Sequence, residues 1–308
     1  VSAAIVVAGV TSLYVSAAVP EFPLRYRPSL TPDWMGAGVS GAAGHIARVQ
    51  RALGDQVRLC SPVGRDAAGL LIRAELGRLG LLGPGVVEAA ESSMGVVLVD
   101  PDGRRMGLPH LTPVARVAYP AHVLHGLARG ADLLVLTNAK FVRPLVPEAA
   151  ALGVPVAVDV HRVADHDDAY NRPWLEAADI VFCSHERLAD PRAWVAGLFA
   201  RYPRCRLAGV GLGARGAMLG LRDGRLVTVA AVTPGAVVNT AGAGDTLFAT
   251  FLSELLRTGD APAALRAGVV QAGWKITHRV PAAASLSRAE LAERCRAAPR
   301  AVPARWDR

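Results

Sequence analysis

Short apolar runs alternate along the chain with amphipathic stretches and glycine-rich breaks. Residues 3–8, inside an apolar start from Val1 to Val10, are β-branched and uninterrupted, and Gly9 closes them. That is the pattern of a strand buried on both faces. Residues 56–63, 132–137, 154–158, 180–184 and 206–210 repeat it. Helical stripes lie between. Ser40 stands where it can cap a helix running to Gly54, with Ala42, Ala43, Ile46, Ala47, Gln50 and Leu53 on its inner face. Asp66 is placed to cap another, with Leu70, Leu71, Ala74 and Leu79 in line. Residues 261–277 and 286–295 read as two more helices. Strands alternating with helices predict an α/β fold, a mostly parallel sheet with helices on both faces. Residues 10–35 hold Pro20, Pro23, Pro28 and Pro32, so the alternation around 13–19 and 22–26 fits edge strands only. Asp100-Pro101-Asp102-Gly103 between residues 93–99 and 104–108, and Asp223-Gly224 between 217–221 and 226–229, predict two hairpins. The polar tail, residues 299–308, is expected to fray.

Composition narrows the function classes. The 308 residues are 52% apolar, enough for one α/β domain spanning 1–308. No apolar run is long enough to span a membrane, and the apolar start has no basic n-region or cleavage site, so no signal peptide or membrane partner is expected. Cys60, Cys183, Cys205 and Cys295 form no C-x-x-C pair, which argues against a zinc site or disulfide framework and fits a reducing cytoplasm. The net charge is +8, but only Lys140 and Lys275 are lysines and the arginines are scattered singly among acids, so no nucleic-acid partner is expected. Asp165-His166-Asp167-Asp168 has no ligand spacing and reads as a solvated loop. Two G-x-G-x-x-G runs, at 36–41 and 211–216, lack the strand–turn–helix setting of a dinucleotide site.

The chemistry concentrates in residues 237–251, a strand end, then the turn Asn239-Thr240-Ala241-Gly242-Ala243-Gly244-Asp245, then an apolar helix. Glycines permit the tight turn, and the first N–H groups of the helix, with its dipole, make an anion site. A carboxylate beside an anion site suggests a base for a nucleophile that attacks phosphorus. This stretch resembles the Asp-Thr-x-Gly-Ala-Gly-Asp signature of the ribokinase-like (PfkB) carbohydrate and nucleoside kinases. The resemblance implies a ribokinase-like three-layer sandwich with a small β-lid drawn from 10–36 and 93–110. It also implies an anion hole at Gly242, Ala243 and Gly244, and Asp245 as catalytic base. Asn239 replaces the Asp that in the family helps to hold a monovalent cation, so Asn239 and Ala241 mark that site by position.

Other matches run along most of the chain. Residues 40–54 are similar to the family's Gly-Gly-x-x-x-Asn-x-Ala, with Gly41 retained and His45 in place of the sugar-gripping Asn. Residues 63–69 resemble Val-Gly-x-Asp-x-x-Gly. The lid-side substrate contact falls on Ser12 or Tyr14, and a strand-end contact on Asn138. Asp159 and His161 stand at the end of a strand, where open α/β sheets bind ligands. The family's Asn-x-x-Glu is altered, leaving Ser184 near phosphate and Glu186 as the indirect Mg²⁺ residue. Gly211, Gly213, Arg215 and Gly216 match its ATP-phosphate loop. The function implied is ATP- and Mg²⁺-dependent transfer of the γ-phosphoryl group to a hydroxyl of a sugar or sugar derivative. A nucleoside acceptor is the alternative within the family, and a non-catalytic ligand-binding or regulatory member is the third reading. Dimerisation through the lid is implied as well.

Overall fold

The structure, a computed structural model, describes residues 2–280 and 284–305. In chain order the elements are β1 (Ala4–Ala8), β2 (Ser12–Ala18), β3 (Met35–Ser40), α1 (Ala42–Ala52), β4 (Gln56–Gly64), α2 (Ala67–Arg78), β5 (Val86–Ala89), β6 (Ser93–Val99), β7 (Arg105–His110), α3 (Thr112–Ala115), α4 (Ala121–Ala128) and β8 (Leu133–Thr137). There follow α5 (Leu145–Ala151), β9 (Val156–Asp159), α6 (Arg172–Ala177), β10 (Ile180–Ser184), α7 (Pro191–Arg201), β11 (Leu207–Gly211), β12 (Ala217–Leu221), β13 (Arg225–Val229), α8 (Ala243–Thr258), α9 (Ala261–Lys275), α10 (Arg288–Ala297) and β14 (Val302–Arg305).

Ten strands form one sheet in the order β14-β13-β12-β11-β10-β9-β8-β1-β4-β5. From β5 to β11 every pairing is parallel, and the three beyond β11 are antiparallel. The two-residue period of a strand explains the layers. Ile5 and Val7 of β1, with Leu133 and Val135 of β8, join a core built with Ile46, Ile72, Phe248 and Phe251 from α1, α2 and α8. Val6 and Ala8, with Leu134 and Leu136, join the opposite core with Leu124, Trp174 and Leu198 from α4, α6 and α7. Each fully buried valine, leucine, isoleucine or phenylalanine side chain among these contributes about 1.5–3 kcal/mol. The parallel strands bring their C-terminal ends to one edge, which positions the site.

A second sheet of four strands, in the order β3-β2-β6-β7, stands beside that edge. Its β6–β7 hairpin turns at Asp100 to Gly103, where Gly103 has φ 76 and donates to the Asp100 carbonyl at 3.0 Å. Asp66 caps α2 through Gly69 N at 2.7 Å and also takes Ser92 N and Oγ.

Four local expectations are corrected. Ser40 is not the cap of α1. Residues 35–40 pair with β2 as a strand, Gly41 at φ 85 takes the cap position, and its missing Cβ is what lets it approach the Val10 carbonyl. No strand forms at 22–26, where the prolines remove donors and the chain runs as an irregular segment to β3. The helix expected from 286 begins at Arg288, behind a Ser287–Glu290 capping box. The tail does not simply fray, since Val302–Arg305 pairs with β13 as an edge strand. The expectations for Val1 and for 306–308 lie outside the described residues.

Candidate active site

The site forms where α8 begins over the C-terminal ends of β9, β10 and β11. Gly242, at φ 71, is the N-cap of α8, and Thr246 N closes the first helical bond to its carbonyl at 3.0 Å. A Cβ on Gly242 would lie 2.6 Å from His45 Nε2, so the turn needs glycine both for its backbone and for the ring packed against it. The helix has 16 residues, and its first N–H groups have no acceptors within it. Asp245 lies in this first turn. Its Oδ1 is shut off from solvent and has no hydrogen-bond partner among the described residues.

Asp159 and His161 approach Asp245 from the end of β9, each bringing one donor atom into a group lying within 4.8 Å of one another. Asp159 Oδ1 accepts from His161 N at 2.8 Å, and His161 Nδ1 lies 3.7 Å from Asp159 Oδ2. His161 is the one non-glycine residue at positive φ among the described residues, at 53°. Enclosure pushes the Asp245 carboxyl up to about 6, with His161 pulling it down, Asp159 pushing it up, and Lys275 and Arg105 pulling it down. For His161 burial opposes the charged ring, but the Asp159 and Asp245 carboxylates outweigh it and raise its pKa. Its side chain is 40% exposed, so water screens that charge.

The sheet register aligns the rest of the edge. Ser184 pairs with Gly211, its N donates to the His161 carbonyl at 2.6 Å, and its Oγ accepts from Glu186 N. Glu186 is half exposed and 3.8 Å from Arg162. Beyond β11, Gly213 and Gly216 take positive φ, and a Cβ on Gly216 would strike the Val229 carbonyl at 2.0 Å. Gly211 lies under Leu247 of α8, while Arg215 is exposed. Gly211, Gly213, Gly216, Ser184 and Glu186 thus share one rim with Asp245. A half-exposed carboxylate on this rim suits a hard ion held through water. The exposure of Glu186 leaves it open to the water shell of such an ion.

From the four-stranded sheet come Tyr14 and Arg105. Burial first, then Asp245, raise the pKa of Tyr14, while Arg105 lowers it. Arg105 Nε donates to Thr240 Oγ1 at 3.1 Å, which ties the hairpin to the glycine turn. Sequence reasoning did not single out Arg105. Ser12 is fully buried and donates to Ser93 Oγ at 2.6 Å, so it joins β2 to β6 instead of facing a pocket. Asn138 is likewise engaged within the protein, since its amide donates to the Val160 carbonyl and to Asn171 Oδ1 and steadies the loop bearing Asp159 and His161.

His45 lies beneath the turn. It is 4% exposed, with Nε2 2.8 Å from Ser40 Oγ and Nδ1 3.2 Å from Lys275 Nζ. Both ring nitrogens are taken, which sets it apart from the sugar-gripping role implied by its position. Asn239 is fully buried; its Oδ1 accepts from Ala241 N at 3.0 Å and its Nδ2 donates to the Arg279 carbonyl at 3.1 Å. The Asn239 amide is neutral and closed into its own loop, so it brings no negative charge to a monovalent cation.

Comparison with known proteins gives concordant matches. The model for pfkB family carbohydrate kinases matches residues 163–287. The chain is 30% identical over 270 residues to an ATP-dependent ribose-1-phosphate kinase of Halopiger xanaduensis, covering 82% of this chain and 86% of the relative. It is 29% identical over 299 residues to acarbose 7(IV)-phosphotransferase of Actinoplanes sp., covering 93% and 96%. Among solved structures, the microbiome-derived acarbose kinase Mak1 superposes with a TM-score of 0.85 at 24% identity, covering 96% of this chain and all (100%) of that one. Arabidopsis thaliana ribokinase complexed with ribose and ATP gives 0.78 at 18% identity, covering 96% and 99%. The fold is therefore ribokinase-like.

Proposed function

The chain belongs to the PfkB family of carbohydrate kinases, and from that premise we propose that it transfers the γ-phosphoryl group of ATP to a hydroxyl of a sugar or sugar derivative, with Asp245 as the base. The observation that carries this reading is the Asp245 carboxylate, enclosed and unpaired at Oδ1, in the first turn of a long helix that opens on Gly242, Ala243 and Gly244. A carboxyl raised to about 6 is ionised at neutral pH yet basic enough to take a proton from a hydroxyl as it attacks. In phosphoryl transfer the protein contributes mostly position and charge. The amides at the start of α8 face the charge that grows on the transferring group. The Gly211–Gly216 loop and Ser184 lie where the nucleotide phosphates would run, and Mg²⁺, held through water at Glu186, would draw charge from those phosphates. His161 and Arg105 add positive charge around the base, and Tyr14 offers a hydroxyl on the acceptor side.

The acceptors named for the two curated relatives, acarbose and ribose-1-phosphate, bracket the class to be tested. The test is ATP consumption against oligosaccharides, free pentoses and hexoses, phosphosugars and nucleosides. Turnover with a carbohydrate class is expected, reduced about a thousandfold in Asp245→Asn with the fold intact. Turnover that survives Asp245→Asn removes the mechanism, and exclusive turnover of nucleosides replaces the acceptor class.

A further inference from the structure

Lys275 ends α9 with its side chain fully enclosed, at 0% exposure. Its hydrogen-bond partner among the described residues is His45 Nδ1, at 3.2 Å. An ammonium has three donors and no acceptor, so Nδ1 must accept, and the neutral ring then carries its proton on Nε2 and donates it to Ser40 Oγ at 2.8 Å. A chain of contacts thus runs from Lys275 through His45 to Ser40, and the His45 ring is the surface on which Gly242 rests. The end of α9 is itself bound to the turn, because Val238 N and Asn239 N both donate to the Ile276 carbonyl, at 2.8 and 3.0 Å. An amine buried with one neutral partner is costly to charge. What favours its charge is an anion nearby, and Asp245 is one.

We propose that Lys275 is a positioning residue for phosphoryl transfer, whose ammonium, held by His45 beneath Gly242, supplies the positive charge behind the anion-binding turn in place of a diffusible monovalent cation. The proposal rests on the kinase reading. It accounts for the closed Asn239 amide, whose oxygen is held by the Ala241 N–H and which brings no carboxylate to a cation at that position. The charges that act on Lys275 are Asp245 and Arg48. His45 and Arg48 lie on α1, and Asp245 on α8. Arg105 of β7, with Asp159 and His161 at the end of β9 and Tyr14 of β2, completes the set around Asp245. Burial first, and then Arg48, pull the Lys275 amine down to about 7, with Asp245 working the other way. For His45, burial, Lys275, Arg48 and Arg105 all lower the pKa, so the ring stays neutral. The ammonium is therefore present below about 7 and lost above it, and an anion placed on the turn draws a proton back onto Lys275.

The test uses the full chain and the β,γ-imido analogue of ATP with Mg²⁺, which needs no knowledge of the sugar. Calorimetry is run one unit either side of about 7, in two buffers of different ionisation enthalpy. Wild type is expected to bind up to about tenfold more weakly at the higher pH and to take up close to one proton there. Lys275→Gln should bind about tenfold more weakly at the lower pH, with a smaller pH dependence than wild type, what is left coming from Asp245, and little proton uptake at the higher pH. Exchange of tetramethylammonium for potassium should leave wild-type affinity unchanged. The wild-type proton count remains decisive if Lys275→Gln does not fold. Equal affinity and equal proton uptake in wild type and variant, or a potassium requirement in wild type, overturns the proposal alone. A folded wild type that does not bind the nucleotide analogue overturns the kinase reading and the proposal with it.

Discussion

In the ten-stranded sheet every residue of β8 and β9 is buried, whereas in the four-stranded sheet every residue of β7 is exposed. Both sheets deliver groups to Asp245. The first delivers Asp159 and His161 from strand ends locked on two faces by side-chain packing. The second delivers Tyr14 from the half-buried middle of β2 and Arg105 from the exposed strand β7, and it meets the glycine turn through one hydrogen bond among the described residues, Arg105 to Thr240. A packed interior fixes geometry, and a loosely supported sheet permits movement. Chemistry should therefore depend on the first region and acceptor capture on the second.

The strongest way to break that division is at the turn. Gly242→Ala forces a Cβ against His45 at a left-handed backbone position. We expect kcat to fall about a hundredfold or more, with the thermal unfolding curve showing a folded protein. A milder probe is pH. Asp245 acts only when deprotonated, so kcat/KM should fall about tenfold per unit as pH drops below about 6. Asp159→Asn removes the neighbour that raises the Asp245 pKa, so the acid limb should move to lower pH in a pH–rate profile. An acid limb left in place by Asp159→Asn would detach Asp159 from the base. On the other sheet, Arg105→Ala should raise the KM for the sugar about tenfold while kcat changes little, the signature of lost ground-state binding. A large kcat loss there would show that the exposed sheet takes part in the chemistry. Smallest is Asp66→Ala, which removes the α2 cap far from the turn. Chemical denaturation should show a loss of about 1–2 kcal/mol, with unchanged kinetic constants.

The parts legible in the sequence were those whose information is local. The parallel strands announce themselves as unbroken apolar runs, the hairpins by Asp-Gly, and the turn at Gly242 to Asp245 by spacing alone. Met35–Ser40 was hidden because its glycines read as a helix approach, and only pairing with β2 makes it a strand. Arg105 was hidden because one arginine on an exposed strand looks like any other until the hairpin folds over Thr240, 135 residues away. Lys275 did leave a signal. In an arginine-rich chain it is one of two lysines, and it follows Val269, Val270, Ala272, Gly273 and Trp274 with no other charge among them. Its partner His45 lies 230 residues earlier, which no local pattern connects.

The left-handed backbone at His161 bears on how this protein would respond to selection. Glycine would occupy φ 53 at lower cost, and holding a histidine there stores about 1–3 kcal/mol of strain. That strain is held in place by Asp159 and by the Ser184 N–H on the His161 carbonyl. A laboratory lineage screened only for heat resistance would gain by discarding the imidazole, and would do so beside Asp245. Thermostable descendants should therefore recur at this position and turn over more slowly, whereas a screen that also rewards turnover should leave it untouched.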